Sequence, residues 1–268
     1  MTTLRDIYSD SARNLLAICL VYKGIYILLK TNLIQASVSS FMGMPEFWTV
    51  IIGCFWIITA LSLTFNLITK ITCNVLALVS FIILILSAIG GTFWKYSLPG
   101  TLLWLGEYLV IIGCSLMIGA QADNNQTSGN HITFSLEHIC FATGRTIMGL
   151  FFLIVGFLHF MYLKEEAQLI TMMPSPVFWV IFVGICWLAT GVSLITNIMT
   201  KTSCLLASLL VVIITLIVDL RGLGFENDYE VVLRITQNIG VVGGALVSGS
   251  MGYYDLHRSS WRYLSKVS

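Results

Sequence analysis

The residues of this sequence with the means to do chemistry are polar side chains set inside or at the edges of long apolar stretches. Lys23 lies in the first stretch, seven residues before Lys30, and Glu107 lies in the fourth. His159, Asp219, Arg221, Arg234 and Gln237 form a second group towards the ends of later stretches. Lys23 and Glu107 are candidates for an ion pair. Asp219 and Arg234 support two readings. They can pair structurally, or they can line the mouth of a ligand pocket with His159 and Gln237, where His159 would handle a proton. No phosphate-binding glycine loop, HExxH, paired histidines at ligand spacing or nucleophile elbow occurs, so no metal site, cofactor or catalytic constellation is evident.

The elements that must hold these residues follow from composition. Of 268 residues 57% are hydrophobic and 10% charged, with mean hydropathy +0.90. Soluble domains carry about a quarter charged residues. So few charges cannot cover a water-exposed surface, and the lipid bilayer is the expected partner. The apolar runs are continuous rather than alternating, which excludes a β-barrel pattern and leaves helices to satisfy the backbone. The net charge of +1 argues against a nucleic-acid partner. Polar Met1 to Asp10, followed by a run that contains Lys23, does not read as a cleaved signal peptide. Seven cysteines without a CxxC pair read as small buried thiols.

Eight helices are expected, near 12–30, 46–68, 72–91, 101–121, 144–163, 176–198, 203–219 and 230–252. Each is close to the roughly 20 residues that span the hydrocarbon. The short third and seventh can be tucked inside the bundle or longer than they look. Pro45, Pro99, Pro174 and Pro176 fall at the breaks, where a missing N–H does little harm. The longest polar stretch, Gln121 to His131, lies near the middle and reads as a linker. It divides the chain into a first repeat (1–120), a linker region (121–143) and a second repeat (144–268).

The two halves echo each other. Phe47-Trp48 recurs as Phe178-Trp179, an offset of 131 (178 less 47). At that offset Gly53 meets Gly184, Trp56 meets Trp187, Asn66 meets Asn197, Lys70 meets Lys201 and Cys73 meets Cys204. One residue further along, Arg13 meets Arg145 and Gly24 meets Gly156; in the last helices Gly113 and Gly119 meet Gly243 and Gly249. These glycines are expected to permit close helix approach. Four spans per half is an even number, so the halves should be parallel repeats.

Arg5, Arg13, Lys70, Arg145, Lys201, Arg258, Arg262 and Lys266 fall on the N-terminal side, against Lys30, Lys95, Lys164 and Arg221 opposite. That bias places both termini and the linker in the cytoplasm of a cell (inner) membrane. The Asn125-Gln126-Thr127 sequon would then have no meaning as a glycosylation site. With this orientation Lys23 and Glu107 lie at matching depths. A charge at mid-bilayer costs about 2.5–3.5 kcal/mol on insertion scales. The second half replaces both together, with Val155 and Gln237, as a structural pair would require.

In the second half Arg145 opens a helix that carries Gly156 and His159. Met173-Pro174 follows, and the next helix holds Gly184 and Gly191 and ends in Asn197-Ile-Met-Thr-Lys201. This arrangement resembles the DoxX-like family of four-helix membrane proteins. Where that family often carries a glutamate in helix two, this chain has Trp56 and Trp187, and Ile27 stands where His159 stands in the second half. The resemblance implies a compact four-helix bundle per repeat. It also implies three functions to weigh: a non-catalytic membrane subunit or assembly partner for a membrane or soluble protein; a subunit of a quinone-linked oxidoreductase; and, from the parallel repeat, a small-molecule transporter.

Overall fold

The computed structural model describes residues 4–29, 45–89, 98–122, 131–220 and 228–251, which are helical apart from short turns. The long helices are α1 (Leu4–Leu29), α2 (Pro45–Thr64), α3 (Thr69–Ile89), α4 (Leu98–Ala122) and α5 (His131–Met161). A short α6 (Leu163–Leu169) leads to α7 (Pro176–Thr196) and α8 (Thr200–Ile214), which continues as a π-helical turn over Thr215–Asp219. The last described helix is α9 (Asp228–Met251). Among the described residues, seven helices are long and apolar enough to cross a membrane: α1 to α5, α7, and α8 with its π turn. The chain is therefore an all-α integral membrane protein.

Pro45 and Pro176 open α2 and α7, and Pro99 is the second residue of α4, where the missing N–H lacks a helical partner in any case. Asn197, with φ 60°, ends α7 in the left-handed conformation that asparagine tolerates at helix C-termini. Asn66, with φ 55°, does the same just after α2.

Several boundaries differ from those expected. α1 starts at Leu4 rather than 12, and α5 at His131 rather than 144. Hydropathy marks the part of a helix that needs lipid, whereas the backbone keeps its hydrogen bonds beyond the bilayer. Residues 123–130, with the sequon at Asn125, lie outside the described residues, as do Lys30, Lys95, Arg221, Arg258, Arg262 and Lys266. Gln121 is not a linker residue: it is buried in α4 and donates from Nε2 to Ser250 Oγ of α9 at 2.7 Å. The third and seventh spans, α3 and α8, are not tucked inside. Phe81, Ile82, Leu206 and Leu209 are exposed on them, as lipid-facing helices require.

Packing places α1 between α2 and α9, and α5 between α4 and α7; α9 also packs on α8 and α4, and α4 on α3. The inner helices are thus α1, α4, α5 and α9. Every described residue of α4 and α9 is buried or part-buried, which explains how α9 can carry Gln237, Asn238, Ser248 and Ser250: its faces meet mostly protein rather than lipid. α1 packs far more closely on α9 than on α4, the fourth long helix of its own half. α1 thus packs mainly on α2 and α9, and α4 mainly on α3 and α5, where the resemblance implies a compact four-helix bundle per repeat. Small residues at the crossings are the cause. A Cβ at Gly113 would lie 2.8 Å from Gly144 O, pinning α4 to α5, and one at Gly243 would lie 3.1 Å from Ala12 O, pinning α9 to α1.

Candidate functional site

Lys23 sits on α1 and Glu107 on α4, and the fold brings Lys23 Nζ to 2.6 Å from Glu107 Oε1. The ammonium also lies 4.3 Å from the ring centre of Tyr108 and 5.2 Å from that of Trp56. Lys23 is 8% exposed and Trp56 is fully buried. A cation in low dielectric is stable here because a carboxylate and two π faces replace its water. Tyr108 is positioned in turn by Trp104, with ring centres 4.6 Å apart.

The second group is only partly assembled as expected. Asp219, 4% exposed, has Oδ1 3.4 Å from Arg234 Nε. Two residues the sequence reading missed complete this cluster. Asn238 Nδ2 donates to Asp219 Oδ2 and to Thr215 Oγ1, both at 2.9 Å. Thr215 and Asp219 are the two ends of the π turn. One amide therefore bridges the ends of the widened turn, a type of irregularity frequent at functional sites. The available signal was local: Arg234, Gln237 and Asn238 recur at helical spacing within a run, Val231 to Gly249, whose other residues are small or apolar.

His159 does not join them. Its Nδ1 donates to Val155 O of its own helix at 2.9 Å, and its Cβ packs where α5 crosses Gly184 of α7. Among the described contacts, none links His159 to Asp219, Arg234 or Gln237.

Gln237 instead faces a cavity of about 110 Å³ where the four inner helices meet. Cys19 of α1, Glu107 and Ile111 of α4, Phe151 and Val155 of α5, and Gln237, Asn238 and Val241 of α9 contribute to its wall. Three of these pairs occupy positions that match between the halves: Cys19 with Phe151, Glu107 with Gln237, and Ile111 with Val241. Cys19 and Asn238 were not foreseen as lining residues.

At the other end of the helices one contact set occurs twice. Arg13 Nη1 donates to Asn66 Oδ1 at 2.8 Å, and Arg145 Nη1 donates to Asn197 Oδ1. Thr69 and Thr200 donate to the same two oxygens, at 2.6 and 3.2 Å. Ser62 Oγ caps Leu67 O, and Ser193 Oγ caps Ile198 O. Each set fixes a tight turn with two left-handed residues, Asn66 and Ile68 or Asn197 and Met199, against the first helix of its half. Lys70 Nζ lies 3.5 Å from Glu137 of α5, joining the halves. No protein-family model matches this chain, and neither a curated protein nor a solved structure matches it.

Proposed function

We propose that the chain crosses the membrane eight times as two parallel repeats of a DoxX-like four-helix unit, and that it serves as a non-catalytic membrane subunit or assembly partner. The observation that carries this reading is how the intramembrane polar groups are used. Lys23 with Glu107 and Asp219 with Arg234 and Asn238 bond to each other between helices, so their charges serve to hold the helices in register. The eight-span reading is supported by the 24 residues of α9, about 36 Å at 1.5 Å per residue. The recurring Arg–Asn–Thr–Ser contacts and the matched glycine crossings support the repeat. The positive-inside bias supports cytoplasmic termini in a cell membrane.

Small-molecule transport is the second reading, favoured by the cavity between the halves. A quinone-linked role finds less support, because about 110 Å³ is well below the roughly 300–1,000 Å³ of pockets for drug-sized ligands and His159 lies off it. Purification from native membranes after mild cross-linking should recover a stoichiometric protein partner. A solitary chain carrying extractable quinone would overturn the proposal. An Asn125→Cys variant should resist impermeant thiol reagents in intact cells, and labelling from outside would reverse the orientation.

A further inference from the structure

The central cavity has a polar edge and an apolar wall. On the polar edge, Gln237 makes no hydrogen bond to a described residue, and Glu107 Oε2 and Asn238 Oδ1 accept none from one. These three side chains are part-buried and line the cavity, so their polar atoms can meet a solute held there. Beside them stand Ile111 and Val241, one helical turn beyond Glu107 and Gln237, together with Phe151 and Val155 of α5. Water needs two to four polar partners and leaves apolar walls dry, so water alone fits one side only. A mostly apolar hollow with a few convergent polar groups is the pattern of a ligand site.

Charge narrows the occupant. Glu107 is already neutralised by Lys23, and Asp219, behind Asn238, by Arg234. A charged ligand would stand without a counter-ion in a low-dielectric interior. Size narrows it further: the cavity of about 110 Å³ equals about three or four water volumes. We propose that this cavity binds a small uncharged solute of about four heavy atoms, with an N–H or O–H donor on Glu107, Gln237 and Asn238 and a methyl-sized group on the apolar wall. The site goes beyond the subunit reading and stands whether or not that solute crosses the membrane.

Three molecules of one shape test this directly. Acetamide has the donor and no charge, acetone lacks the donor, and acetamidinium adds a charge. With the full-length protein in detergent, saturation-transfer NMR should show saturable acetamide binding, and acetone and acetamidinium at least tenfold weaker. Gln237→Leu removes the amide at similar volume and should weaken acetamide at least tenfold. Phe151→Trp fills the same space from the apolar wall and should do likewise, so a folding defect in one variant leaves the other to decide. Absence of saturable acetamide binding to the wild type would mean that water alone fills the cavity and would overturn the proposal. Acetone or acetamidinium binding as tightly as acetamide would overturn it too, as would unchanged binding in both variants.

Discussion

The two halves keep their buried charges at different places on one scaffold. In the first half the pair joins α1 to α4, is sealed by Trp56 and Tyr108, and has both side chains about one-tenth exposed, 10% and 11%. In the second half the pair joins α8 to α9, and Arg234 keeps 39% of its side chain exposed. Positions matching the first pair hold Val155 and Gln237; positions matching Asp219 and Arg234 hold Ala88 and Trp104. By contrast, the Arg–Asn contacts at the other end are the same in both halves. Corresponding positions in the sequence thus carry unlike polar groups, and each buried charge is present together with its partner.

The largest effect should come from opening the sealed pair. Lys23→Val alone strands Glu107 and should cost about 3–5 kcal/mol of stability. Lys23→Val with Glu107→Gln should recover most of that, since the second half already has that combination. A double-mutant cycle on unfolding in detergent reads the coupling. Losses that simply add would mean the two residues do not interact, and Glu107 would become a proton- or ligand-handling candidate.

A smaller effect is expected at the open pair. Asp219→Asn keeps an acceptor for Asn238, and the part-exposed Arg234 can find water or lipid head groups. The loss should be about 1 kcal/mol in the same unfolding assay. A loss as large as that of Lys23→Val would show that the exposure of Arg234 does not relieve it, and the contrast between the halves would fail.

The smallest effects should also be the most alike. Arg13→Gln and Arg145→Gln each weaken a bond to an asparagine oxygen, and Arg13→Gln also loses the pair with the exposed Asp10, which is worth little at a surface; each should cost about 0.5–1.5 kcal/mol, alike when melting curves are compared. A several-fold difference would mean that the two turns bear unequal loads despite their common geometry.

The amino-acid sequence by itself determined the all-α membrane class, because a deficit of charge and runs of about 20 apolar residues leave no other way to satisfy the backbone. It also determined the partnership of Lys23 and Glu107, since the cost of an unpaired charge in lipid makes matched depth and joint replacement informative. It foreshadowed the glycine crossings too, through the recurrence of Gly113 and Gly243. The ends of α1 and α5 were not legible, because hydropathy measures lipid contact and not helix length. Nor was the neighbourhood of the helices. Only the tertiary structure placed α1 against α9, gathered Thr215 and Asn238 around Asp219, put His159 elsewhere, and opened a cavity beside Gln237. The reason is physical: lipid and a neighbouring helix offer an apolar face nearly the same transfer energy. The choice between them falls to close packing at small residues and to a few hydrogen bonds, which become visible only when the whole chain is assembled.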